Sequence, residues 1–218
     1  MDIAKLREIQ RETDLKAAET HNLDMSSREW FENRITAITG ELYEALAVIE
    51  PFKDWKKQKG KVDGKRFLKS EEPHFEYRCV LTGNLYTKEQ AIHETLVEEC
   101  SDVLHFALTL ISISDLNNFE VKPKKHSVRT EWGNSTMVSG IHDDASRKCK
   151  NAIRKLFYYE DQVILSNSPT DITAKRLLRE ALHEIFTFYA SAGVSIEELE
   201  NAYYLKNKVN HSRMNNGY

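Results

Sequence analysis

The sequence has little of what marks most small β-folds. Only 4 of 218 residues are proline and 8 are glycine, too few turn-formers for a β-sandwich. The 30% of charged residues leans the same way, towards helix. Cysteine is scarce as well. Cys79, Cys100 and Cys149 are odd in number and form no C-x-x-C. That argues against a disulfide framework or a thiolate zinc site, and it fits a reducing compartment. No apolar run approaches the ~18 residues needed to span a bilayer, and the opening MDIAKLREIQ lacks a signal-peptide core. A formal net charge of -3 carries no global basic footprint for nucleic acid. Neither G-x-x-x-x-G-K nor G-x-G-x-x-G occurs, and no Ser-His-Asp or Cys-His constellation stands out. The expectation is a cytoplasmic helical protein with neither membrane nor nucleic acid as partner. At this length the chain holds one large domain, 1–218.

What is present is helical spacing. Ile3, Leu6, Ile9, Leu15 and Ala18 predict a helix over about 2–20. Ser26 with Glu29 reads as a capping box opening a second helix, which Pro51 stops after Ile49. A third, from Thr87 to Leu110, is long, free of Gly and Pro, and starts with a Thr87/Gln90 box. Further helices are expected over 145–166, from Asp171 to before Gly193, and after a Ser195/Glu198 box. Two long irregular connections interrupt the series. The first, 51–86, is Lys-rich (Lys53, Lys56, Lys57, Lys59, Lys61) and then suggests a hairpin about Thr82-Gly83-Asn84. The second, 112–144, has no helical period and reads as an insertion or a lid.

The acids fall in odd places. In the 87–110 helix, Glu98, Glu99 and Asp102 gather on one side with Glu94 at its edge, in line with Ala91, Ile92, Phe106 and Leu110. In the 26–49 helix, Glu41 with Glu44 interrupts a stripe of Trp30, Ala37, Ile38, Ala45 and Val48. A spacing of three places each pair, Glu41/Glu44 and Glu99/Asp102, on one helix face. Packing the faces together brings four carboxylates around one point, which calls for a compensating cation. Oxygen donors alone suit Mg²⁺ or Mn²⁺ rather than zinc. Candidate phosphate binders are the 53–57 lysines, Lys206 and Arg213. Two other readings stand beside this one. A di-iron bundle wants Glu-x-x-His on two helices, for which Asp102-x-x-His105 is the nearest match. A helical interaction module would carry the acids as ordinary solvated faces.

Three stretches resemble the dimeric all-α dUTP pyrophosphatases, phage members included, within the MazG-like all-α NTP pyrophosphatases. ELYEALAVIEPFKDW (41–55) is similar to that family's E-x-x-E followed by Phe-Lys-x-Trp. EECSDVLHF (98–106) is similar to its E-E-x-x-D-x-x-H-F, and AYYLKNKVNHSRMNNGY (202–218) to its tail. The resemblance implies an all-α helical bundle and hydrolysis of dUTP to dUMP and pyrophosphate. It implies Mg²⁺ (or Mn²⁺) on Glu41, Glu44, Glu99 and Asp102, with Glu41 also handling the attacking water and Glu98 supporting the ligands. Lys53, Lys206 and Arg213 match positions that face the triphosphate of a deoxynucleoside triphosphate. Asn207 and His105 match positions near base and sugar, Trp55 one that walls the pocket, and Gln10 one that reads the pyrimidine. The resemblance also implies a homodimer whose pocket borrows from both subunits. Met214 stands where the family usually has Gln. Phage relatives with a similar tail accept dCTP as well, and an amide such as Gln10 or Asn207 presents donor or acceptor by flipping. dCTP, or a broader set of triphosphates, is therefore the alternative substrate.

Overall fold

The computed structural model describes residues 1–53, 56, 58–121 and 135–215, with backbone alone for 135–143 and 215. Among these residues the chain forms six helices: α1 (Ile3–His21), α2 (Arg28–Ile49), α3 (Lys88–Ile113), α4 (Ser135–Ser166), α5 (Ile172–Ser191) and α6 (Ile196–Asn215). Between α2 and α3 lies a small antiparallel sheet, β1 (Phe67–Lys69), β2 (Tyr77–Cys79) and β3 (Leu85–Tyr86), in that order. The architecture is all-α, as the composition implied.

Helix α3 is the axis. It packs on α1, α2, α5 and α6, and α4 lies against both α2 and α5. Its burial explains its length: Leu96, Cys100, Val103, Leu104, Ala107, Leu108 and Leu110 are wholly inaccessible. Burying each large aliphatic side chain contributes about 1.5–3 kcal/mol. One buried cluster runs from Ile3 and Leu6 of α1 through Ile38, Leu104, Leu156 and Leu182 to Tyr203 of α6. Among the described residues no helix is long and apolar enough to cross a membrane.

The caps show how the ends are set. The Thr87/Gln90 box is formed in both directions, and Ser195 with Glu198 makes the same reciprocal pair. The box expected at Ser26 is displaced by one residue. Ser27 caps α2 by accepting from Trp30 N at 3.1 Å, whereas Ser26 is held through both its N–H and hydroxyl by Asp24 Oδ1. Helix α4 also begins at Ser135, well before the expected 145. Gly140 weakens the local helical signal there.

The hairpin expected about Thr82-Gly83-Asn84 is the β2–β3 connection, with Tyr77 opposite Tyr86. The sheet has its own small core of Phe67, Cys79 and Ala91. The preceding loop is tied down at Glu50, which sits in left-handed geometry (φ 48°) past the end of α2. Its buried carboxylate accepts from Lys53 Nζ at 2.5 Å, from Lys56 Nζ and from Gly60 N at 3.0 Å. Gly60 is required there. Its φ is +110°, and a Cβ would lie 2.5 Å from Ile92 Cδ1.

Candidate active site

The packing of α2 on α3 does what the two acidic pairs suggested. One carboxylate oxygen each from Glu41, Glu99 and Asp102 lies within 4.8 Å of the others. Glu44, one turn on, is exposed and stands at the rim. It is still close enough for its charge to act on all three. Glu41 and Glu99 are pushed up to about 7, first by burial and then by neighbouring carboxylates, Asp102 ahead of Glu44 for both. Burial raises Asp102 too, although Lys206 opposes the shift.

Lys206, from α6, reaches across the cluster. Its Nζ donates to Asp102 Oδ2 at 2.8 Å and to Glu98 Oε1 at 3.3 Å. Burial works against its charge, but Asp102 and Glu98 prevail and hold its pKa above the usual lysine range. The other oxygen of Glu98 accepts from Arg66 Nη1 at 2.8 Å, and Arg66 Nη2 donates to Glu94 at 3.0 Å. These cations do not satisfy the acid cluster, since Glu41 and Glu99 remain shifted upward. The donor set is all oxygen, drawn from two rigid helices and short of positive charge. A hard divalent cation fits it.

A second group of polar side chains is buried beside the acids. His105, one turn beyond Asp102, donates through Nδ1 to Gln10 Oε1 at 2.7 Å and stacks on Tyr203 at 4.3 Å. Burial, then the charge of Lys206, drives its pKa down to about 3, so the ring is neutral. Its Nε2 is buried with no hydrogen-bond partner among the described residues, an arrangement that costs about 1–3 kcal/mol unless something donates to it. Gln10 Nε2 donates to Asp14 at 2.8 Å, Thr109 donates to the other Asp14 oxygen at 2.7 Å, and Asn207 Nδ2 donates to Thr13 at 2.8 Å. Arg34 lies over the rings of Trp30 and Phe106, and its charge acts on Asp14.

The structure thus brings Glu41, Glu99, Asp102 and Lys206 together, and Gln10, His105 and Asn207 into an adjoining buried network. Lys53 is turned to Glu50 instead of the acids. Arg213 is exposed on the last turn of α6, and Trp55 lies outside the described residues. Sequence reasoning missed Arg66 and Asp14. Arg66 comes from an aperiodic loop, so nothing local signals its partner on α3. Asp14 was readable only as an acid within a largely apolar helix face.

Comparison with curated proteins returns no match, and neither does comparison with solved structures. A family model does match, that of dUTPase, over residues 2–77 and 86–218. Its gap falls on the β2–β3 hairpin. A nucleotide substrate comes with that family, and a divalent metal is general to it. The acid cluster, the lysine across it and this near-complete match lead to one conclusion: the chain belongs to the dUTPase family and is a dUTP diphosphatase, a nucleoside triphosphate pyrophosphohydrolase.

Proposed function

We propose that Glu41, Glu99 and Asp102, with Glu44 at the rim, hold Mg²⁺ (or Mn²⁺) during hydrolysis of dUTP to dUMP and pyrophosphate. The observation that carries this is the meeting of three half-buried carboxylates, from two helices, within 4.8 Å. When bound, the ion supplies positive charge to phosphate oxygens and lowers the pKa of water. Glu41 orients the attacking water and accepts its proton. The water oxygen bonds to phosphorus as the bridge between the α and β phosphates breaks, and pyrophosphate leaves. Lys206 transfers its Nζ from Asp102 to the charge that develops on the phosphates. Arg213, and Lys53 once it swings away from Glu50, extend the cationic surface along the triphosphate, and Glu98 holds Lys206 in reach. Gln10, His105 and Asn207 form the nucleoside subsite.

The same reading takes 1–218 as one domain of a cytoplasmic, phage-like homodimer. The test is pyrophosphate release from dUTP, dCTP, dTTP and dATP, with Mg²⁺ and then with EDTA. Mg²⁺-dependent release from dUTP is expected. Release that survives EDTA would remove the metal assignment, and release from dCTP at an equal rate would remove the preference for uracil.

A further inference from the structure

Gln10, Asp14 and His105 form a line of donors and acceptors with a fixed direction. Asp14 is buried, and both its oxygens are occupied as acceptors, Oδ1 by Gln10 Nε2 at 2.8 Å and Oδ2 by Thr109 Oγ1 at 2.7 Å. A carboxylate accepts and does not donate, so the amide NH₂ of Gln10 must face Asp14. The Gln10 carbonyl is thereby turned to His105 Nδ1 at 2.7 Å, with the Tyr203 hydroxyl also 3.2 Å away. A carbonyl oxygen only accepts, so Nδ1 carries the ring proton. In a neutral imidazole the other nitrogen is then an acceptor. That nitrogen, Nε2, is buried and has no partner among the described residues.

We infer that Asp14 is a positioning residue: through the Gln10 amide it locks His105 as the Nδ1–H tautomer and makes Nε2 a fixed acceptor for an N–H or O–H of the nucleoside. The inference rests on the reading of this network as the nucleoside subsite. Two groups on the substrate meet the requirement. The uracil ring carries N3–H where cytosine has a bare nitrogen, and the deoxyribose carries a hydroxyl that both nucleotides share. An Asn at position 14 presents donor or acceptor equally well, so the Gln10 amide loses its single orientation and the imidazole samples both tautomers.

The test is ¹⁵N NMR of the His105 ring in the full chain, paired with kcat and KM for dUTP and dCTP. In the wild type, Nδ1 is expected as the protonated nitrogen, and Nε2 as the bare one that shifts when a non-hydrolysable dUTP analogue is added. In Asp14→Asn the two nitrogens average, and KM for dUTP rises about tenfold, the scale of one hydrogen bond to substrate. There kcat stays within about twofold, because binding to ground and transition state is weakened alike. A rise for dUTP alone identifies N3–H as the donor, and an equal rise for dCTP identifies the sugar hydroxyl. Asp14→Glu keeps the charge and restores the wild-type ring spectrum. A wild-type ring protonated at Nε2 overturns the inference without any variant. An Asp14→Asn protein with unchanged spectrum, or with unchanged KM, does so as well. The analogue titration also separates this failure from that of the subsite reading. If the analogue binds but leaves a correctly protonated His105 undisturbed, the pocket is not the nucleoside subsite.

Discussion

Lys206 Nζ sits 2.8 Å from Asp102 Oδ2, so the last helix of the bundle supplies a countercharge to an acid of the third. The contact spans 104 residues of sequence and puts an ammonium beside the acid cluster. Replacing Lys206 with Gln removes the group assigned to the developing phosphate charge. A fall in kcat of about 10²-fold or more is expected, together with a lower melting temperature in EDTA, because Asp102 keeps its acidic neighbours without the cation. Steady-state kinetics and a thermal melt check both.

Glu99→Gln is expected to abolish pyrophosphate release while the fold survives, since the amide matches the carboxylate in shape and gives up one repulsive charge. Circular dichroism and calorimetric Mg²⁺ titration separate the two effects. Turnover persisting in this variant would show that Glu99 does not hold the metal.

The raised pKa of Glu41 has a consequence for metal-free stability. A carboxyl that titrates at about 7 in the folded chain, against 4.5 as its reference, binds more protons folded than unfolded between those values. Stability therefore falls as pH rises through that window. His105 acts in the opposite sense, losing stability as pH drops below 6.5. Comparing Glu41→Gln with wild type cancels that contribution. In EDTA the variant should melt above wild type at pH 8, with the advantage fading towards pH 4.5. Melts across this range are the measurement.

Glu50 is the reverse case. Burial alone would raise its pKa, but Lys53, Lys56 and the Gly60 N–H hold it at about 2. Its contribution is complete above 4.5 and is lost as pH falls through 2. Glu50→Gln should cost about 1–3 kcal/mol at neutral pH and make denaturant midpoints less sensitive to acid.

Much of this site was legible because helices repeat. A spacing of three puts Glu41 beside Glu44 and Glu99 beside Asp102 whatever else the chain does, and Thr87/Gln90 is a local capping pattern. Meetings between elements were not legible from periodicity. Arg66 finds Glu98 only because the small sheet docks on α3, and Glu50 captures Lys53 only because its backbone turns left-handed after α2. Ser26 is not the cap for a smaller reason: the helix starts one residue later than its box implied, so Ser27 accepts the Trp30 N–H while Asp24 holds Ser26. The tail could be related to the acids only by resemblance, since nothing in α6 alone points Lys206 at Asp102.

All three cysteines are buried, and they sit in different parts of the molecule. Cys79 belongs to the small core under the sheet, whereas Cys100 and Cys149 lie in the helical interior. A thiol reagent added to the native protein can reach none of them without an opening event, so its reaction rate measures how often each region opens. If the sheet opens independently of the bundle, Cys79 will be labelled long before the other two. If the Arg66 bridge to Glu94 and Glu98 couples them, all three will react together, at the pace of global unfolding. The chain thus carries its own internal clock for the cooperativity of its two cores.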